Sequence, residues 1–246
     1  MGCVNYKGIV IREINTGEAD KIITVLTAEE GKISIAAKNA RRPKSSLSAG
    51  TQLLCFSDYM LFKGKELYNM SCCEVLEPNY EIRNDIVKLT YCSHILELIQ
   101  DNVQEGEPSQ RILQLLLNTL YVIAKTDKSL ELVTRVFELR LMALLGYEPH
   151  VACCINCNKT EDENMYFDLD NSGLVCGECV NPGGRVISLQ PGTVKALKYI
   201  MYINPQKLFS FSLSIESIHE LGILSKKYIK EHLGKEYNKL DYLKYL

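Results

Sequence analysis

The run Lys32-Ile33-Ser34-Ile35-Ala36-Ala37-Lys38 alternates apolar side chains with polar or smaller ones at a period of two. An extended backbone sends successive side chains to opposite faces, so this pattern marks a strand with Ile33, Ile35 and Ala37 on its apolar face. Two more runs of strand character precede it, at 6–14 and 21–27, and two follow, at 52–62 and 66–76. Asn15-Thr16-Gly17, Glu30-Gly31 and Lys63-Gly64-Lys65 supply turns between them. Five short strands within residues 1–77 suit a small closed barrel of the OB type, and an SH3-like barrel gives the same pattern.

Pro78 ends this region and the apolar period changes to that of a helix. Ile86, Leu89, Ile95, Leu96 and Ile99 recur along 83–103, and helical patterns continue at 109–125 and 129–146, with Gly106-Glu107-Pro108 and Asp127 as breaks. Gly146 stands where a helix end favours glycine, and Pro149 cannot continue the helix. Further helices are expected at 189–203, 214–233 and 236–246. The expected fold class is α+β: an N-terminal five-stranded OB-type β-barrel over 1–78, then an α-helical domain over 79–246. A four-cysteine zinc-binding segment is inserted in the latter at about 147–187.

That segment holds Cys154-Ile155-Asn156-Cys157 and Cys176-Gly177-Glu178-Cys179. Two residues between thiols let a tight turn present both sulfurs to one metal, so two such knuckles supply the four thiolates of a tetrahedral Zn²⁺ site. A filled set leaves no position for a reacting water, which makes the metal structural. Cys153 competes with Cys154 for the first ligand place, and the spacing of the second knuckle favours Cys154.

The chain has 246 residues, 46% of them hydrophobic and 24% charged, which is ordinary for a packed globule. Adjacent Cys72-Cys73 and Cys153-Cys154 make a poor disulfide framework for the ten cysteines, and Met1 to Lys7, leading directly into a strand-like run, are not expected to form a cleavable signal. The best membrane-span candidate, 112–124, is interrupted by Gln114, Asn118 and Thr119. A cytoplasmic location is expected.

A net charge of -2 gives no global signature of a nucleic-acid binder, so charge distribution must carry any such reading. Between Gly31 and Ser57 there is no carboxylate, while Lys32, Lys38, Arg41, Arg42 and Lys44 all fall there. Lys63 and Lys65 add two cations in the hairpin between the last two strands, a loop that OB folds use for oligonucleotides. Tyr6, Phe56, Tyr59, Phe62 and Tyr68 could stack on bases or fill the core, and the sequence does not separate these roles. An enzyme is disfavoured: no phosphate-cradling loop or H-E-x-x-H is present, and His94, His150, His219 and His232 fit no catalytic pattern. Asp168 and Asp170 read as a turn in the zinc segment. The alternative is a zinc-containing transcription regulator or interaction scaffold, although no recognition-helix pattern stands out.

In order along the chain, Gly8-Ile9-Val10-Ile11-Arg12, Gly17-Glu18-Ala19-Asp20-Lys21-Ile22, Gly31-Lys32-Ile33 and Ala37-Lys38-Asn39-Ala40-Arg41-Arg42-Pro43-Lys44-Ser45 resemble the N-terminal strands of the RecO family of bacterial recombination mediators. Arg135-Val136-Phe137-Glu138-Leu139-Arg140-Leu141-Met142, then Leu145-Gly146-Tyr147-Glu148-Pro149 and the Cys154 knuckle, resemble its helix-to-zinc transition. The resemblance covers essentially the whole chain. It implies an OB barrel followed by a helical domain with a zinc-finger insertion, and no enzymatic activity. It implies binding of single- and double-stranded DNA, strand annealing, and loading of RecA onto single strands coated by single-stranded-DNA-binding protein (SSB). The partners it implies are RecR, the C-terminal tail of SSB and, indirectly, RecF, on a nucleoid-associated protein.

On this reading Arg12 and Lys21 join Lys32, Lys38, Arg41, Arg42, Lys44, Lys63 and Lys65 as candidate DNA-binding residues. A partner peptide would dock between C-terminal helices, with Lys195, Lys198, Lys226, Lys227 and Lys230 as candidates to receive its carboxylates. Asn39 replaces the glycine usual in the family's Ala-Lys-Gly-Ala-Arg run, and asparagine tolerates positive φ. After Val151 basic and acidic residues balance, eleven of each, which weakens the case for DNA binding there.

Overall fold

A computed structural model describes residues 2–245. They fall into two compact units, one ending at Leu120 and the other beginning at Tyr121.

The first unit is built on five strands: β1 (Cys3–Thr16), β2 (Asp20–Thr27), β3 (Lys32–Ala37), β4 (Phe56–Lys63) and β5 (Tyr68–Glu77). The sheet closes in the order β1-β2-β3-β5-β4, because the long β1 pairs with β2 through one half and with β4 through the other. All pairings are antiparallel except β3 with β5. The predicted alternation of β3 is observed: Ile33, Ile35 and Ala37 are buried and join Val10, Ile23, Val25, Tyr59, Leu61 and Met70 in the barrel core. The Tyr59 hydroxyl satisfies its buried oxygen by donating to the Gly50 carbonyl at 2.8 Å.

One strand starts later than its sequence suggests. Residues 52–55 form a turn after a short 3₁₀ helix (Ala49–Thr51), with Leu54 at φ 66°. Leu54 N–H donates to the Val10 carbonyl and Val10 N–H to the Cys55 carbonyl, next to the β1 register shift. Backbone groups are thus paired without a regular ladder, and burial of Leu54 outweighs its strained conformation.

Beyond β5 come a one-turn helix α1 (Tyr80–Arg83) and α2 (Ile86–Asn102), capped by Asp85, whose carboxylate accepts from Val87 and Lys88 N–H. The break at Asn84 divides what the periodicity presents as one helix from residue 83. α2 lies on β1, where the Gln100 amide donates to the Ile11 carbonyl. Gly31 closes the β2–β3 turn at φ 59°, and a Cβ there would meet the Gln104 and Glu107 carbonyl oxygens at 2.5 Å, so only glycine fits.

α3 (Gln110–Lys125) spans the division between the units. In the second unit α4 (Leu130–Leu144), α5 (Pro191–Tyr202) and α6 (Ile215–Leu233) pack on one another. Between α4 and α5 lies a three-stranded sheet of β6 (Met165–Asp168), β7 (Gly173–Cys176) and β8 (Val186–Leu189), in the order β7-β6-β8. Sequence reading leaves these strands as irregular chain because each has only four residues, too short for a period to show. Asp168 and Asp170 do form a turn, Asp168 accepting from the N–H groups of Asp170 and Asn171. Phe167 meets Tyr228 edge to face at 5.6 Å, tying the small sheet to α6. Glu138 of α4 is 2% exposed and bonded to Arg135 and to the Ser225 hydroxyl of α6, so its charge is compensated. The terminal helical pattern is realised as a 3₁₀ helix (Lys239–Tyr245), and Leu246 lies outside the described residues.

Candidate nucleic-acid interface and metal centre

The loop after β3 is shaped by the β1–β2 hairpin. Asn39 N–H donates to the Asp20 carboxylate at 2.6 Å, and Arg41 N–H to the Ala19 carbonyl at 2.9 Å. Asn39 and Lys44 adopt positive φ, 56° and 65°, so the asparagine does hold the turn that favours glycine. Lys38, Arg41, Arg42 and Lys44 are all exposed. Arg41 reaches the Glu18 carbonyl at 3.4 Å, yet none of the four forms an ion pair among the described residues, although Glu18 and Asp20 stand in the neighbouring hairpin.

On the β4–β5 hairpin Lys63 and Lys65 are exposed, as is Arg12 on β1, and these too lack an ion pair among the described residues. Two other predicted cations have internal partners. Lys21 is held by Glu13 at 2.6 Å, and the half-buried Lys32 donates to the Gln100 carbonyl at 2.5 Å.

The five aromatics separate by burial. Tyr59 is core, Tyr6 and Tyr68 are half-buried and meet edge to face at 6.0 Å, and Phe56 is half-buried. Phe62 points outward and is 39% exposed. Alternation within β4 places it outside; only the observed packing shows that it stays partly open.

In the second unit the sulfurs of Cys154, Cys157, Cys176 and Cys179 lie within 4.8 Å of one another. Each knuckle is a tight turn: Asn158 N–H donates to the Cys154 carbonyl at 2.9 Å and Cys179 N–H to the Cys176 carbonyl at 3.0 Å. Cys157 and Cys176 sulfurs are 3.6 Å apart, close to the roughly 3.8 Å edge of a tetrahedron with metal–sulfur bonds of about 2.3 Å. The donor set therefore fits a tetrahedral thiolate-bound metal. Burial opposes ionisation of Cys154, but N–H groups of Cys176, Cys157 and Asn156 outweigh it and bring the thiol down to about 6. Bonding with Cys157 and Cys176 pushes Cys179 up to about 12. Cys153 turns away, its sulfur facing His150 Nε2 at 3.4 Å and Asn158 at 3.7 Å, which resolves the choice between neighbouring thiols in favour of Cys154.

The five helical lysines do not share one groove. Lys195 and Lys198 of α5 line a cavity of about 270 Å³ with Met165, Leu189, Pro191 and Val194, beside Glu161, Asp162 and Glu163. Lys198 donates to the Thr160 carbonyl at 2.7 Å. Lys227 and Lys230 of α6 border a separate open cleft of about 620 Å³ with Arg185 and Glu231, where Lys230 pairs with Glu236 at 2.6 Å. Lys226 is exposed outside both. No helix among the described residues is long and apolar enough to cross a membrane.

Residues 1–79 match the family model described as Recombination protein O N terminal, and residues 83–241 match that described as Recombination protein O C terminal. A DNA repair protein RecO from Acetivibrio thermocellus is 47% identical over 246 residues, covering 100% of this chain and 98% of the relative. Those of Alkaliphilus metalliredigens and Caldicellulosiruptor saccharolyticus are each 33% identical, over 98% of both chains and 100% of both chains respectively.

Proposed function

We propose, starting from the fact that this chain belongs to the recombination protein O (RecO) family, that it serves DNA repair by binding single- and double-stranded DNA and annealing complementary strands. The family is one of recombination mediators and not of catalytic enzymes. The barrel, read as an OB fold from its strand order, carries the binding. One observation supports this most: Arg12, Lys38, Arg41, Arg42, Lys44, Lys63 and Lys65 extend from a single small barrel and form no ion pair among the described residues. Cations free of carboxylates can neutralise phosphates on two strands and leave base edges open, which lowers the repulsion that opposes pairing. Lys21 and Lys32 hold internal contacts, so their role is to support the barrel that carries the exposed cations.

The four cysteines bind one structural Zn²⁺, and the metal's contribution is to fix the two knuckles. DNA binding is the task of residues 1–78, and residues 79–246 form the partner-binding domain. The cavity beside Lys195 and Lys198 offers apolar walls to the apolar part of the SSB tail and two ammonium groups to its carboxylates, with Glu161, Asp162 and Glu163 on the same rim limiting how many carboxylates it takes. In this reading the protein acts with RecR, and indirectly RecF, in loading RecA onto coated strands, in the cytoplasm and at the nucleoid.

The test is the salt dependence of oligonucleotide binding. Each phosphate contact adds roughly 0.7 to the log–log slope for single strands, so Arg41→Ala, Arg42→Ala and Lys44→Ala together should flatten it by up to about two units. An unchanged slope removes this loop from the binding surface.

A further inference from the structure

We infer that Phe62 is a base-stacking contact that makes one outward ribbon of the barrel a track for single-stranded nucleic acid in preference to duplex. This rests on the reading of the barrel as the DNA-binding surface and adds to it a ligand form and a residue.

The strand registers bring five outward side chains into one row. Ile14 pairs with Ile22, Ile22 with Ala36, Ala36 with Asn69, and Asn69 with Phe62. Four inter-strand steps of about 4.8 Å make the row about 19 Å long. Its ends are apolar and open, Ile14 at 44% and Phe62 at 39% exposure, while Ile22 and Ala36 form a low, half-buried middle. Cations flank it on both sides. Lys38 and the loop to Lys44 follow the row in the direction of β3, and Arg12, Lys63 and Lys65 precede it.

A duplex presents phosphates outward and keeps its bases stacked inside, so an apolar and amide row offers it nothing. A single strand can turn its bases onto the row while its phosphates reach the cations at either edge. Among the described aromatics of the barrel, Phe62 is the one whose ring is exposed; the others are buried or half-buried. Beside it, Asn69 offers an amide donor and acceptor to the backbone of the stacked nucleotide, so base edges stay open for pairing.

The chain contains no tryptophan, so Phe62→Trp installs a single fluorophore at the site. Its emission should be quenched by oligothymidylate and not by a blunt duplex. Phe62→Ala should weaken binding of the single strand roughly five- to 150-fold, the scale of one base–aromatic stack. Binding of duplex and of an abasic oligonucleotide should stay within about twofold. An unquenched indole, or an alanine variant that keeps single-strand affinity or loses single-strand and duplex affinity equally, overturns the stacking role. If the unaltered protein binds with steep salt dependence while Phe62→Ala is silent, stacking alone is wrong. If the unaltered protein binds no oligonucleotide in dilute buffer, the DNA-binding reading falls and this inference with it.

Discussion

His232, in the last turn of α6, shows how a single side chain can report on its surroundings. Its Nε2 lies 3.1 Å from the Ser172 hydroxyl, and its ring packs on Tyr228 and Tyr147 at 4.3 and 5.0 Å. Burial lowers its pKa below the ordinary 6.5, against a smaller opposing pull from Glu231. A base whose pKa is lower folded than unfolded binds protons more readily when unfolded. Its contribution to stability is therefore complete above pH 6.5 and is lost as pH falls through that value to below the folded pKa. Thermal denaturation between pH 8 and pH 5 should show a decline that His232→Gln reduces; identical pH profiles for the two proteins would exclude the effect.

At the scale of elements, the metal segment depends on cross-links more than on length. β6, β7 and β8 have four residues each, well under what an isolated sheet needs, and they gain support from Phe167 on Tyr228 and from the two knuckles. With a bound zinc, Cys154→Ser should release the metal and strip hydrogen-exchange protection from 165–189, while the barrel strands keep theirs. Purified protein should contain one zinc per chain by elemental analysis. Metal-free protein with the same protection in this segment would show that the thiol cluster is not a metal site.

For the molecule as a whole, binding must be understood through charge placement, since a net charge of -2 predicts no attraction to a polyanion. Among the described residues the barrel cations Arg12, Lys38, Arg41, Arg42, Lys44, Lys63 and Lys65 have no ion pair, whereas Arg185, Lys159 and Lys230 of the second unit are held by carboxylates and Lys195, Lys226 and Lys227 are not. Annealing of complementary oligonucleotides coated with single-strand-binding protein should be accelerated at low salt and fade as salt rises. No acceleration at any salt concentration would leave a binding protein but not an annealing one.

The five barrel strands, the main helices, the two thiol knuckles and the basic loop are legible in the sequence because each is written in short-range periodicity or spacing, whereas β6, β7 and β8 are too short to be. The tertiary structure decided what lies beyond such local signals. It paired Lys21 and Lys32 internally, put four of the five helical lysines in two separate clefts, distinguished Cys154 from Cys153, and left Phe62 partly open while burying Tyr59. Those outcomes turn on which distant groups meet, and alternation along one strand says which way a side chain points but not what, if anything, packs over it.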